Sequence, residues 1–130
     1  MSQKGASSFE ELKAWQLSRQ LVRDLYAVSR VGDLSLDWGF RNQLSRAALS
    51  IMNNIAEGFA RNSDREFARY LDIARGSATE VKSMLYAALD IGYISQQQFE
   101  QLAQGTNQTL SAISGLSRYL RQSLGKERQV

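Results

Sequence analysis

This chain of 130 residues contains no cysteine, no histidine and no proline. Without cysteine it forms no disulfide and offers no thiolate for catalysis or metal binding. Without histidine it cannot assemble a Ser-His-Asp or Cys-His catalytic unit, nor a zinc or di-iron site that uses imidazole ligands. Carboxylates, lysines, tyrosines and hydroxyls are the groups left for an enzyme, so the composition argues against catalysis.

The missing proline favours long uninterrupted helices over a turn-rich β architecture, because proline is the residue that breaks a helix most effectively. No apolar run approaches the roughly twenty residues of a membrane-spanning helix, and the first residues lack the apolar segment of a signal peptide. We expect a cytoplasmic protein without a cofactor and without membrane contact. Its length predicts one domain over residues 1–130, with residues 1–8 and 125–130 flexible.

Helical periodicity divides the chain into four segments, which run from about Phe9 to Arg30, Trp38 to Glu57, Asp64 to Ile91 and Gln96 to Leu124. Capping boxes are predicted to open three of them, at Ser8 with Glu11, Ser63 with Glu66, and Ser95 with Gln98. Glycines are predicted to end three of them, at Gly58, Gly92 and Gly125. Because the second and third connections are short, the sequence predicts an all-α fold, an up-and-down antiparallel four-helix bundle.

The apolar residues form one stripe on the second and fourth helices but two faces on the first and third. A small bundle closes its core with one stripe per helix, and an exposed second face usually marks an interface. We therefore predict a homo-oligomer, with contacts at Leu12, Trp15, Val22, Tyr26, Ile73, Met84 and Ile91. The alternative is a wider core in which the first and third helices are central.

The stretch NNIAEGFARNSDREF, residues 53–67, is a polar corner between the second and third helices. Polar side chains continue from it along both helices, at Arg46, Ser50, Asn54, Glu57, Ser77 and Glu80. Facing strips of this kind favour a hydrogen-bonded contact between the helices. We expect the Asn54 amide to bind carbonyls near the helix end, and Glu57 to pair with an arginine, because the helix dipole disfavours a carboxylate there.

An enzyme would have to use the carboxylates Glu57, Glu66 and Glu80. Glu66 already has a predicted role in a helix cap, and Glu80 has one in an ion pair. Carboxylate di-metal bundles also need histidines that this chain lacks. We therefore assign no catalytic, cofactor-binding or metal-binding residue.

Two groups of basic residues are the other candidate for function, in a chain whose 16 lysines and arginines exceed its 13 acidic residues. Arg61, Arg65, Arg69 and Arg75 follow the polar corner, and Arg118, Arg121, Lys126 and Arg128 lie near the carboxyl terminus. Such surfaces bind phosphate backbones without reading bases. The alternative is a solvated helix face whose charge Asp64, Glu66 and Asp72 neutralise.

Residues 41–89 resemble the four-helix-bundle proteins encoded in intervening sequences of bacterial large-subunit ribosomal RNA genes. The resemblance is carried by Gln43-x-x-Arg46-Ala47, Asn54-Ile55-Ala56-Glu57-Gly58 and Gly76-Ser77-x-x-Glu80, with Arg61, Ser63 and Glu66 between them. The opening Phe9-Glu10-Glu11-Leu12 with Trp15 is also similar to the start of that family. Met52 stands where members often have proline, which alters the local bend.

The resemblance implies an up-and-down bundle assembled as a homopentamer, without known catalysis and with nucleic-acid binding as an expected activity. It also implies kinship in fold with the accessory proteins of diversity-generating retroelements, which engage a reverse transcriptase and its RNA. We expect an oligomeric accessory protein that binds RNA or DNA backbone. The alternative is a protein-only scaffold, for example a polymerase partner, without nucleic-acid binding.

Overall fold

Four helices account for most of the residues that the structure, a computed structural model, describes: the backbone of residues 5–129 and the side chains of residues 5–125. They are α1 (Lys13–Ser29), α2 (Trp38–Phe59), α3 (Asp64–Ile91) and α4 (Gln96–Gln129). Each helix packs against the next one in sequence, and α4 closes the ring against α1. The prediction of an all-α, up-and-down four-helix bundle is confirmed.

The core lies along the axis that the four helices surround. The stripe predicted on α2 is fully buried at Leu44, Ala48, Ile51 and Ile55. It meets the buried stripe of α3, which includes Phe67, Leu71, Ala74, Ala78, Val81 and Leu85. Thr106 and Thr109 of α4 are buried too, and each hydroxyl donates to a carbonyl oxygen one turn back. These polar groups are therefore satisfied inside the bundle.

The predicted capping boxes differ in how completely they form. At the start of α4, the Gln98 N–H donates to Ser95 Oγ at 3.1 Å and the Ser95 N–H donates to Gln98 Oε1 at 2.8 Å. At the start of α3, Ser63 Oγ accepts from the Glu66 N–H at 3.1 Å. The Glu66 carboxylate pairs with Arg69 rather than reaching back. The capping box at Ser95 is therefore complete, and the one at Ser63 is half formed.

The capping box predicted at Ser8 and Glu11 is wrong. The chain makes a short 3₁₀ turn at Phe9–Glu11, and α1 begins only at Lys13. Glu11 instead accepts hydrogen bonds from the hydroxyl and N–H of Ser7, at 2.6 Å and 3.2 Å. The predicted partner of Glu11 is thus off by one residue, since Ser7 and not Ser8 binds its carboxylate.

The helix ends predicted from glycine are right at Gly92 and wrong at Gly58 and Gly125. Gly92 follows α3 with φ of 92°, the left-handed conformation that glycine adopts without strain. Gly58 lies inside α2, which continues to Phe59, and Gly125 lies inside α4, which continues to Gln129. The flexibility predicted for residues 1–8 and 125–130 stays a prediction, and residues 1–4 and 130 lie outside the described part.

Gly58 is needed for the close packing of α2 against α3. A Cβ atom at this position would lie 2.7 Å from Tyr70 Cβ and 2.9 Å from Phe67 Cδ1. Those distances are too short for carbon atoms in contact, and Tyr70 Cβ is fixed to the backbone of α3. The absent side chain therefore allows the two helices to approach at this level.

The second apolar faces of α1 and α3 are covered more than the sequence predicted. Leu12 is buried in the core, which corrects its assignment as an oligomer contact, because it has little surface to offer a partner. Trp15, Val22 and Met84 are half-buried and pack against the same core. Leu12 and these three residues therefore fit the alternative prediction of a wider core.

The other three predicted interface residues differ in their exposure. Tyr26 is half-buried, whereas Ile73 and Ile91 are exposed. The most exposed large apolar side chains lie elsewhere, in the connection between α1 and α2 and at the first residue of α2: Leu36 is 81% and Trp38 74% exposed. Val31 of that connection is exposed as well. We call Val31, Leu36, Trp38 and Ile91 the apolar end of the bundle.

A hydrogen bond between two connections holds this end together. The Tyr93 hydroxyl donates to Asp37 Oδ2 at 2.6 Å, and Asp37 Oδ1 accepts the Phe40 N–H at 3.1 Å. The tyrosine ring also packs edge-on against Phe40, with centroids 5.5 Å apart. Asp37 thus caps α2, a cap that the sequence analysis missed. The hydrogen bond from Tyr93, with that from Phe40, lowers the pKa of Asp37.

Replacing Gly58 with alanine should destabilise the fold. The added methyl group would overlap Tyr70 and Phe67, and such overpacking typically costs about 1–3 kcal/mol. The matched control is Gly76→Ala, because a Cβ at Gly76 meets nothing within 4 Å and alanine is the better helix former by up to about 1 kcal/mol. Urea denaturation measures both. A Gly58→Ala protein as stable as the wild type would contradict the close approach.

Replacing Tyr93 with phenylalanine should raise the pKa of Asp37 towards its ordinary value, because the strongest hydrogen bond to the carboxylate is lost. A carboxylate whose pKa is lowered by folding stabilises the protein above its unfolded pKa of about 3.9, and this contribution is lost as the pH falls through the folded pKa. The wild type should therefore melt higher than Tyr93→Phe at neutral pH, with a smaller difference in acid. NMR titration of the Asp37 carboxyl provides the direct measurement, and an identical pKa in both proteins would refute the assignment.

Candidate nucleic-acid interface

The first half of α3 and the second half of α4 form a groove lined with arginines. One open cleft of about 390 Å³ is lined by Arg65, Arg69, Asp72 and Arg121, together with Ala68, Leu124 and Gly125. A second, of about 420 Å³, adjoins it and is lined by Arg75, Arg118 and Arg121, with Ser114, Ser117 and Gln122. We call Arg65, Arg69, Asp72, Arg75, Arg118 and Arg121 the basic groove. The antiparallel packing of α3 against α4 brings together residues that are far apart in sequence.

Asp72 lies between two of these arginines. Its Oδ2 accepts from Arg121 Nη2 at 2.7 Å, and its Oδ1 lies 3.4 Å from Arg75 Nη2. Arg121 also donates through Nε to Ser117 Oγ at 3.4 Å. One carboxylate thus orients two guanidinium groups at the middle of the basic groove, and all three side chains keep about half of their surface exposed.

Tyr70 orders two further arginines at the edge of the groove next to α2. Arg61 donates through Nη2 to the Tyr70 hydroxyl at 2.6 Å. The guanidinium carbons of Arg61 and Arg69 lie 5.0 Å and 4.9 Å from the centre of the tyrosine ring, within the range of a cation–π interaction. Each arginine also pairs with a glutamate, Arg61 with Glu57 at 3.4 Å and Arg69 with Glu66 at 3.3 Å.

The charge environment of these arginines differs along the groove. The hydrogen bond from Arg69 to Glu66 raises the pKa of Arg69, so its positive charge is retained. In contrast, Arg65 and Arg118 form no ion pair or hydrogen bond with any residue whose side chain is described. The alternative of a neutralised helix face therefore applies to Arg61, Arg69 and Arg75, but not to these two. Lys126 and Arg128 lie outside the described side chains.

The predicted contact between the polar strips of α2 and α3 is present. The hydroxyls of Ser50 and Ser77 share a hydrogen bond of 2.9 Å between the two helices. Gln43 adds a second link, since its amide donates to Glu80 Oε2 at 3.3 Å. Asn54 behaves differently from the prediction: its amide donates to the carbonyl oxygen and the hydroxyl of Ser50, one turn back, at 2.8 Å and 3.0 Å. It serves to orient Ser50 rather than to close the helix end.

Five of the residues that carry the family resemblance, Gln43, Arg46, Ala47, Ser77 and Glu80, line one exposed cleft between α2 and α3. We call this cleft, of about 540 Å³, the polar cleft; it is lined by Gly39, Asn42, Gln43, Arg46, Ala47, Ser50, Ser77 and Glu80. Glu80 is not in the predicted ion pair, although Arg46 lines the same cleft, and Arg46 itself forms no ion pair with the described side chains. Both side chains are exposed, so their charges are available to a partner.

The three carboxylates weighed as catalytic groups do not converge. Glu57 and Glu66 are each paired with an arginine, and Glu80 binds an amide. Glu66 and Glu80 lie on one helix, fourteen residues and thus about 21 Å apart. Among the residues described, no three acidic side chains come close enough to hold a metal ion. Nor does any helix of the described part have the length and apolar character needed to cross a membrane.

Several residues that shape these surfaces were missed in the sequence. Tyr70 was not singled out, because its contacts with Arg61 and Arg69 appear only once α2 and α3 are packed. Asp72 was read as neutralising the surface rather than as bridging two helices. Exposed Tyr119, directly after Arg118, was not noted at all. Each depends on a contact or an exposure that only the packed helices define.

Comparison with solved structures supports the fold. The chain is similar to a protein of unknown function from the S23 ribosomal protein family of Bacteroides thetaiotaomicron, with a TM-score of 0.74 and 21% sequence identity. The match covers 81% of this chain and 95% of that one. At this identity the likeness concerns the fold alone. No curated protein matches the chain.

A family model matches residues 10–115, which include α1, α2, α3 and the polar cleft. Its description is the 23S rRNA-intervening sequence protein, in agreement with the resemblance carried by residues 41–89. Arg118, Tyr119 and Arg121 lie beyond the matched region. On the extent of this match, the chain belongs to the 23S rRNA-intervening sequence protein family.

Proposed function

We propose that this protein is an oligomeric accessory protein that binds the phosphate backbone of RNA or DNA through its basic groove, without catalysis. The observation that carries the proposal is the meeting of five arginines from α3 and α4 at adjoining clefts; among the described side chains, Glu66 and Asp72 are the acidic residues that pair with them. Guanidinium groups bind phosphate oxygens in a bidentate manner. Arg65 and Arg118 have no competing carboxylate among the described side chains and are the strongest candidates for direct contact.

The paired arginines of the groove are also accessible to phosphate. Exposed ion pairs such as Arg75 with Asp72 contribute at most about 1 kcal/mol each, so a phosphate group can compete for the same guanidinium. The paired side chains remain about half exposed. The groove is a surface on the sides of two helices, and it therefore suits backbone contact rather than base-edge reading.

Self-association would increase the effect of this modest patch. The apolar end exposes Leu36 and Trp38 almost fully, and exposed apolar clusters mark interaction sites. The polar cleft adds exposed charges of both signs, Arg46 and Glu80. A closed oligomer repeats each basic groove around its symmetry axis, so several grooves can hold one nucleic acid at once. The number five comes from the family resemblance.

The apolar end also favours a second function, that of a protein-only interaction module such as a polymerase partner. In that case Trp38 and Leu36 would bind a different chain, and the arginines would be solvated surface. Purification at low salt separates the two functions. The nucleic-acid function predicts an absorbance ratio that reports bound nucleic acid, whereas the module predicts the ratio of protein alone.

Removing an unpaired arginine should weaken nucleic-acid binding and its dependence on salt. The affinity of the wild type for a generic RNA should fall steeply with salt, and Arg65→Gln or Arg118→Gln should each reduce the logarithmic slope by about one. Arg23→Gln on α1 is the matched control, because it removes the same charge away from the groove. Fluorescence anisotropy across a salt series gives the slopes. Equal slopes for all four proteins, or no binding at low salt, would reject the proposal.

Replacing Trp38 with glutamate should reduce the mass of the assembly in solution while leaving the helices intact. The side chain is 74% exposed, so the charge disturbs little inside the chain. Met84→Glu provides a contrast: Met84 packs against the core, and its replacement should lower the melting temperature. Light scattering gives the mass and circular dichroism the helix content. If Trp38→Glu has the same mass as the wild type, the apolar end is not the interface.

A further inference from the structure

Tyr119 is an exposed aromatic side chain of α4 that directly follows Arg118 of the basic groove, and it is 55% exposed. Its ring and hydroxyl make no hydrogen bond or ring contact with any described residue. Arg118 has no partner among those residues either. Tyr119 lies three residues before Gln122, which lines the same cleft as Arg118, and residues three apart are neighbours on a helix surface. The ring therefore lies at the edge of the cleft that Arg118 lines.

The space beside the Tyr119 ring is open. Gly115 lies one turn before Tyr119 on the same side of α4. A Cβ atom at Gly115 would meet nothing within 4 Å. One turn later lies Gln122, an exposed amide that lines the same cleft as Arg118. The surface therefore offers a guanidinium, a ring with a free flank and an amide within two turns of α4.

This combination distinguishes between forms of nucleic acid. In a duplex the bases are stacked and paired inside, and reaching their edges takes an element that enters a groove. The basic groove runs along the sides of two packed helices and has no such element. In a single strand the bases are free to stack on aromatic side chains while the phosphates lie on cations.

We infer that the basic groove together with Tyr119 binds single-stranded RNA or DNA, with phosphates on Arg118 and its neighbours and a base stacked on Tyr119 beside Gly115. The inference rests on the proposed function and narrows its ligand. Stacking of this kind tolerates any base, because every base has an aromatic face. Since Tyr119 lies beyond the family match at residues 10–115, this preference belongs to the carboxyl-terminal part of this chain.

The experiment compares a short single-stranded RNA, a single-stranded DNA and a duplex of the same sequence by fluorescence anisotropy. Tyr119→Leu removes the aromatic face and keeps the charge, so binding of both single strands should weaken by roughly 5- to 150-fold, while duplex binding changes little. The matched control is Tyr86→Leu, which replaces an equally exposed tyrosine on α3 that packs against Phe99 outside the groove. It should leave all three affinities unchanged.

A second pair of variants tests the open flank without touching the tyrosine. Gly115→Leu fills the space beside the ring and should weaken single-strand binding, although the melting temperature should not fall, because the site is open and leucine favours a helix. Gly115→Ala leaves room for a base and should bind as the wild type does. A purely structural role for this region predicts no binding difference between the two.

The outcomes separate the inference from the proposed function. Duplex and single strands bound equally, with no effect of Tyr119→Leu or Gly115→Leu, would overturn the inference and leave backbone binding intact. No binding of any of the three nucleic acids at low salt would reject both. Selective loss of single-strand affinity in Tyr119→Leu and Gly115→Leu, with Tyr86→Leu and Gly115→Ala unchanged, is the result that supports the inference.

Discussion

The close contact between α2 and α3 at Gly58 is the constraint on which the rest of the molecule depends. A side chain there would overlap Tyr70 and Phe67, so only glycine allows the helices to meet at this level. Phe67 then fills the core. Tyr70, held against α2, receives the hydrogen bond from Arg61 and lies under Arg69. One missing methyl group therefore fixes both the packing of the hairpin and the edge of the basic groove.

The acidic residues of the groove orient several of its arginines and leave these arginines accessible to solvent. Asp72 and Glu66 form ion pairs with three arginines at the surface. Exposed pairs of this kind are weak, and they reduce mutual repulsion among the cations without burying them. Arg65 on α3 and Arg118 on α4 stand outside these pairs, so no carboxylate among the described side chains offsets their charges. This is a suitable arrangement for a flexible anionic strand.

The two other surfaces have different chemistry and different positions. The polar cleft, between α2 and α3, holds Gln43, Arg46, Ser77 and Glu80 of the motifs that carry the family resemblance. The apolar end lies where three helices meet their connections and is kept in shape by Tyr93 and Asp37. Neither overlaps the basic groove at the opposite part of α3 and α4. The proposed contacts between subunits and the proposed contact with nucleic acid would therefore use separate surfaces of the chain.

The sequence by itself determined the four helices, their order and most of the core. Periodicity placed Leu44, Ile51 and Ile55 correctly, and local hydrogen bonding identified the caps at Ser63 and Ser95. These features depend on residues within a turn or two of each other, so they can be predicted from a single sequence. The family resemblance added the kinship that the match over residues 10–115 shows.

Tertiary structure decided everything that depends on two helices at once. Gly58 looks like a helix end in the sequence and is a packing residue in the bundle, because the clash that excludes a side chain comes from α3. Leu12 looks like surface and is core, since burial depends on how closely neighbouring helices approach. The hydrogen bond between Arg121 and Asp72 likewise follows from antiparallel packing, since forty-nine residues separate the two in sequence and no local pattern encodes such a contact.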